Sequence, residues 1–202
     1  GAAGGIHKRW SLIDNVIKVF CVEPQPESFL KIKNTRFNKI EKIFDKEKDL
    51  KRKLYLTRKN DTSSLLLPNI NYLKKFSNVS RFDLIKTLEL NTTTIDNEFD
   101  ETDLDFVKID VEGYHLNILE GSKKKLKNIL GLEVEVEFQE LRLDQPNFYQ
   151  IIDFLKIYNF EMHDILNIIR WERQAYRHTG QPHTCDLFFL KKPESIINEF
   201  NT

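Results

Sequence analysis

The sequence predicts an α/β domain, a parallel sheet covered by helices on both faces. Three observations carry this. Strand-like and helix-like segments alternate along most of the 202 residues, as βαβ crossovers require. Two segments, Val16 to Val22 and Leu104 to Val111, are nearly unbroken apolar runs, the pattern of strands buried on both faces. Each run closes on an acid and a turn-forming residue, Glu23-Pro24 in the first case and Glu112-Gly113 in the second.

Length and composition agree with one such domain. A chain of 202 residues can bury a sizeable core. It is 40% hydrophobic and 31% charged, an ordinary globular balance rather than a disordered one. Its 31 basic and 31 acidic residues cancel, so no overall charge draws it to nucleic acid or an anionic membrane. The Lys-rich runs 46–53 and 123–127 read as solvated faces or loops. No apolar run approaches a membrane span. Cys21 and Cys185 have no disulfide or zinc spacing, which points to a reducing, cytoplasmic setting. The chain opens at Gly1 without Met, and it is read as a single domain over 1–202 that is truncated at its amino end.

The elements follow in order. Gly1 to Gly5 is a small-residue loop, and Ile6, Trp10 and Ile13 recur at helical spacing after it. Val16 to Val22 is a strand that Pro24 stops. Glu27 to Asn34 reads as a helix with Phe29, Ile32 and Leu30 on its apolar side. Residues 39–45 fit a strand or a helix equally. Lys53 to Thr57 alternates as a strand, and Asn60 to Pro68 is turn-rich. Asp83 to Asn91 and Thr92 to Ile95 carry β-branched residues and form one or two strands. Leu104 to Val111 is the clearest strand, followed by a helix with Leu116, Leu119 and Leu126 inward. Leu130 to Phe138 is a further strand. Phe148, Ile151, Ile152, Leu155 and Tyr158 mark an amphipathic helix. Phe160 to Ile165 and Thr184 to Leu190 are late strands, joined by a polar stretch that includes Arg170 to Gln181.

Several residue groups can carry chemistry. In Gly1-Ala2-Ala3-Gly4-Gly5 the missing side chains let a ligand approach the backbone, and a helix start beyond it offers free N–H groups. A linker would have the same composition. Glu23 at a strand end can accept hydrogen bonds from ribose hydroxyls, or it is a carboxylate before a proline turn. Asp110 and Glu112 close the 104–111 strand, where ligands of open α/β sheets sit; there they suit a cationic ligand or a base, or they cap the next helix. Glu133, Glu135 and Glu137 share one face of their strand, and such buried carboxylates need partners such as Lys108 or Arg142. The five histidines show no metal-ligand pairing, so no metal is expected. His115, near the 110–113 turn, is a further base candidate.

Taken together, these segments resemble the FkbM family of methyltransferases. The matching stretches are GAAGG at 1–5, FCVEPQPESF at 20–29, SSLLLPN at 63–69, TID at 94–96 and DFVKIDVEGYHLNILEG at 105–121. LEVEVEF at 132–138, the QPNF and FLKIYNFEMHDI stretches within 145–165, and CDLFFLKK at 185–192 extend the likeness over nearly the whole chain. The resemblance implies the class I, Rossmann-like methyltransferase fold: a mostly parallel seven-stranded sheet, with helices on both faces and here without its first strand. It implies S-adenosylmethionine as cofactor and O-methylation of a hydroxyl on a sugar, a glycan or a secondary metabolite. By the same resemblance, Gly1, Ala2, Ala3, Gly4 and Gly5 hold the methionine part. Glu23, with Pro24, holds the ribose, Asp45 the adenine side, and Asp110 lies beside the sulfonium. The catalytic expectation is Asp110 and His115 as base, with Glu112 as orienter. Three departures stand out. The strand and acid before the glycine loop are absent, His115 stands where the family usually has Glu, and Ile95 stands where it has Leu.

The competing expectation is a nucleotide- or nucleotide-sugar-binding Rossmann-like domain without catalysis. A glycosyltransferase-like fold ranks lower, because Asp103-Leu104-Asp105 precedes its strand instead of following one. Segments 60–80 and 166–183, with Trp171, Arg173, Tyr176 and Arg177, are the expected walls for an acceptor.

Overall fold

The protein is described here from a computed structural model. It covers Ala2 and residues 7–32, 36–174 and 176–200, without the side chains of 176–179 and 198–200. The strands are β1 Phe20–Val22, β2 Asn38–Ile40, β3 Ile43–Phe44, β4 Lys51–Thr57, β5 Leu84–Thr93, β6 Phe106–Ile109, β7 Gly131–Glu137, β8 Phe160–Arg173 and β9 Tyr176–Lys191. The α-helices are α1 Pro26–Lys31, α2 Ile70–Leu73, α3 Ile95–Glu98, α4 His115–Glu120, α5 Phe148–Ile157 and α6 Pro193–Phe200.

The described strands form three sheets instead of the expected single one: β1-β2, β3-β5-β4 and β6-β7-β9-β8. The pairs β1–β2, β3–β5 and β6–β7 are parallel, whereas β4–β5, β7–β9 and β8–β9 are antiparallel. The arrangement is mixed α/β with few helices. The physical reason for the division is a gap. β1 and β6 carry partners on one side only, and both line a cavity along their whole length. No helix among the described residues is long and apolar enough to cross a membrane.

The strand that bears most directly on the site is β7, next to β6 in its sheet. Its alternate residues Leu132, Val134 and Val136 are fully buried in one cluster with Leu119, Leu126, Ile151 and Leu155. A period of two turns Glu133, Glu135 and Glu137 to the other face. Parallel pairing sets Lys108 opposite Glu133, so Lys108 and, two residues on, Asp110 share that acidic face. α5 starts cleanly because the Asn147 N–H donates to Gln150 Oε1 at 2.7 Å, half of a capping box.

Several local expectations are revised. The helix expected from Ile6, Trp10 and Ile13 is a single 3-10 turn, Lys8–Trp10, with Ile6 outside the described residues. Trp10 packs edge-on against Phe106 at 5.1 Å. The 16–22 strand shortens to β1, since the preceding residues turn on 3.0–3.2 Å contacts back to Ile13. In α1, Ile32 at the cap is buried, but Leu30 is exposed. Segment 39–45 resolves into the ends of two strands, β2 and β3. The polar stretch 170–181 is the outer part of the β8–β9 hairpin, with Trp171 opposite Gln181 and Arg173 opposite Tyr176. It read as a loop because most of β8 is exposed.

α4 ends at Gly121 against the β3–β4 turn. A Cβ there would lie 2.1 Å from the main-chain oxygen of Asp45. Backbone cannot swing aside as a flexible side chain can, so Gly121→Ala is expected to destabilise by at least about 1–3 kcal/mol. A urea unfolding midpoint equal to that of the parent would refute this close approach.

Candidate active site

A cavity of about 1400 Å³ is lined by β1 and β6 along their length and by the residues that follow each strand. Ala2, Glu23, Pro24, Asp110, Glu112 and Glu135 all line it. Part of its volume is the strand-wide gap; the rim of acids is where chemistry can occur. Of the glycine loop, Gly1, Ala3, Gly4 and Gly5 lie outside the described residues, while Ala2 reaches the cavity wall.

Glu23 follows β1 directly and is 3% exposed. Its Oε1 accepts the Gln25 N–H at 3.0 Å, which fixes the carboxylate as the chain turns at Pro24. Asp45 has a different setting. It is fully buried but outside the cavity lining. Its carboxylate accepts from Arg52 Nε at 2.7 Å and from the Lys46 N–H at 2.6 Å. Those bonds tie the turn between β3 and β4, and they account for Asp45 without a ligand.

The segment after β6 is built on two left-handed residues, Glu112 at φ 55° and Gly113 at φ 90°. Gly113 accepts this without penalty, whereas a Glu in that region costs about 1–3 kcal/mol. Three contacts hold it. The Glu112 carboxylate is paired with Arg142. The Ser64 hydroxyl donates to the Glu112 carbonyl at 2.7 Å. Arg142 also donates to the Thr62 carbonyl at 3.1 Å. A Cβ at Gly113 would come within 3.3 Å of Arg142 Cδ, so the guanidinium stem is packed against the turn it neutralises. The outcome is a Glu112 side chain held in place at the cavity wall.

Asp110 is half-buried, 3.5 Å from Lys108 Nζ. Burial opposes its charge, but the nearby Lys108 ammonium and a hydrogen bond from the Glu135 side chain hold its carboxyl below the ordinary value. Glu135, bonded to Asp110 side chain to side chain, shifts the opposite way. Burial first, then the nearby Glu112 and Asp110, push it far up. Asp110 and Glu135 thus form a pair in which the cavity-facing Asp110 keeps the negative charge and Glu135 keeps the proton. The neighbouring glutamates have cations. Glu133 meets Lys108 at 2.9 Å and Arg9 at 2.6 Å, and Glu137 lies 3.6 Å from Arg142.

His115 is fully buried at the start of α4 and does not line the cavity. Its Nε2 faces the Val111 N–H at 3.5 Å. Burial pushes its pKa down to about 3, so the ring is neutral at physiological pH. It lies behind the 110–113 turn and supports it. Sequence spacing placed it at the site because it follows Gly113 closely, but helix direction turns it inward.

Of the expected acceptor walls, Trp171 and residues 60–65 line the cavity, joined by Arg81 and Phe82. Trp171 stacks on His183 at 4.3 Å. Arg173 is not in the lining, and the side chains of Tyr176 and Arg177 are outside the description. Sequence reading did not single out Ser64 or Arg142 as holders of the turn. A lone Arg in Leu141-Arg142-Leu143 was the available signal, since an arginine between leucines must find buried acids. Cys21 and Cys185 are free and buried.

Comparisons with curated proteins and with solved structures return no match. The family model described as the methyltransferase FkbM domain matches residues 5–162. That span takes in Glu23, the Asp110–Gly113 turn, the acidic face of β7 and Arg142, the residues that the fold gathers around the cavity. On that match, the chain belongs to the FkbM methyltransferase domain family.

Proposed function

We propose that this methyltransferase domain uses S-adenosylmethionine to methylate a hydroxyl oxygen on a sugar, a glycan or a secondary metabolite. The observation that carries the reading is that Glu23 and Asp110, each at the end of a parallel strand, border one cavity. A buried, oriented carboxylate fits a ribose diol, and a charged carboxylate fits a sulfonium. The donor supplies an electrophilic methyl group that needs no further activation.

The chain's own residues then have three tasks. Glu23 and Pro24 bind the ribose, and the Gly1, Ala2, Ala3, Gly4 and Gly5 backbone takes the methionine part. Asp45 is left out of the cofactor set, because Arg52 and the backbone already engage it. Asp110 accepts the proton of the acceptor hydroxyl as the new O–C bond forms, which asks for a near-attack separation of about 3–3.5 Å. Glu112, fixed by Arg142, orients the acceptor. His115 is assigned to supporting the turn, because a buried imidazole of this kind does not take up a proton at neutral pH. Phe82 and Trp171 supply apolar wall, and Arg81 a cation, for the acceptor.

Calorimetric titration with S-adenosylhomocysteine tests the cofactor assignment. Saturable binding is expected, with none for NAD or a nucleotide-sugar. The reverse pattern favours the nucleotide-binding alternative. Glu23→Gln should weaken binding by about 1.5–3 kcal/mol, the worth of a hydrogen bond to a charged group. Equal affinity in that variant would remove Glu23 from the ribose site.

A further inference from the structure

We infer that Arg81 and Trp171 form an acceptor subsite for an anionic group, so that the hydroxyl acceptor is a ring bearing a carboxylate or a phosphate. The inference rests on the methyl-transfer reading only in calling this ligand the acceptor. Both residues line the same cavity as Asp110. Arg81 is fixed through its backbone, whose carbonyl accepts from the Lys59 N–H at 3.1 Å and the Thr62 hydroxyl at 3.2 Å. Its guanidinium carbon lies 5.7 Å from the Phe82 ring centre and 5.8 Å from that of Trp171. Trp171 is held in turn by His183, stacked at 4.3 Å, and by Phe76, edge-on at 5.7 Å. Contact with aromatic faces does not consume the N–H donors of a guanidinium, which stay available to a carboxylate or phosphate.

Charge points the same way. The acids near Arg81 are matched by other cations: Asp61 meets Lys59 at 2.7 Å, Asp83 meets Arg58 at 2.8 Å, and Glu112 is paired with Arg142. Arg81 approaches Asp61 only to 3.8 Å, beyond hydrogen-bond range. Its Nε is buried without a hydrogen-bond partner, although buried polar atoms are nearly always satisfied. The protein therefore leaves this cation without a committed acid. The Arg81 side chain is 31% exposed and lines the cavity, so a ligand there can meet it. Arginine suits both anions, because its planar fork matches carboxylate and phosphate oxygens. The half-buried Trp171 gives the ring that carries the anion an apolar wall.

Calorimetric titration with glucuronate, galacturonate and glucose 6-phosphate, and with their neutral parents glucose and galactose, tests this. It is run with and without S-adenosylhomocysteine. Saturable binding of at least one anionic sugar is expected, weakening with added salt, with none for its neutral parent. Which anion binds separates carboxylate from phosphate. Arg81→Gln should weaken that binding about 10–100-fold, as loss of a hydrogen bond to a charged group does. Arg81→Lys should restore part of it, and Trp171→Leu should weaken it through the ring. Arg58→Gln, which breaks an exposed pair, should bind as the parent does. Thermal melts establish that each variant is folded; if Arg81→Gln is not, Arg81→Lys and the charged-against-neutral comparison in the parent decide. No saturable binding of any anionic sugar, or equal binding of its neutral parent, overturns the subsite. So does parent-like binding by Arg81→Gln or Trp171→Leu, or an equal loss in Arg58→Gln. Arg81-dependent sugar binding in a protein that does not take S-adenosylhomocysteine would keep the subsite and remove the methyl-transfer reading instead.

Discussion

Asp110→Asn is expected to lower methyl transfer by about 10²–10⁴-fold, the range lost when a positioned base is removed. The fold should survive. Asp110 is half-buried, and its contact with Lys108 is 3.5 Å long, an ion pair of the partly exposed kind worth at most about 1 kcal/mol. Asparagine keeps the shape and a hydrogen-bonding oxygen but takes no proton. The measurement is the rate of S-adenosylhomocysteine formation across a panel of hydroxylated acceptors, with cofactor affinity determined alongside. A parent-like rate with normal affinity would assign the proton elsewhere, first of all to solvent. Loss of affinity alone would make Asp110 a binding residue for the cationic donor.

Arg142→Ala should destabilise the protein by about 3–5 kcal/mol, the cost of removing one member of a buried ion pair. Arg142 is 0% exposed and contacts Glu112, Glu137 and the Thr62 carbonyl. Its loss leaves two carboxylates facing Asp110 and Glu135 without a cation, and it releases a left-handed Glu112 from the group that offsets its backbone strain. Urea denaturation reads the loss directly. Arg142→Met combined with Glu137→Gln should recover part of it, because the charge left unpaired is removed together with its partner. A near-neutral single substitution would mean that the acids are already protonated, and the electrostatic account of the turn would fail.

These two residues were legible in the sequence to different degrees. Asp110 stood out because an apolar run, an acid and a glycine mark the end of a buried strand in an α/β fold. Glu23 stood out for the same reason. Both are local patterns, and strand direction alone carries them to the rim of a sheet. Arg142 carried no such pattern. Its role depends on Glu112, 30 residues earlier in the chain, and on the Thr62 carbonyl, 80 residues earlier.

His115 and Asp45 show the opposite case. Proximity in sequence suggested the site for His115, but the first turn of α4 points its ring into the core. Asp45 is taken by Arg52, seven residues away. The hairpin of β8 and β9 was under-read at its outer end, because its polar, mostly exposed residues carry no apolar run.

By itself, the sequence determined the strands that bury apolar residues, the acids that close two of them, the shared face of Glu133, Glu135 and Glu137, and the family likeness. Those features are set by periods of two and 3.6 residues and by short-range turn chemistry. Tertiary structure alone decided the division into three sheets, the pairing of Arg142 with Glu112, the burial of His115 and the separate states of Asp110 and Glu135. Each depends on which distant groups share a low-dielectric space, and no spacing along a chain encodes that.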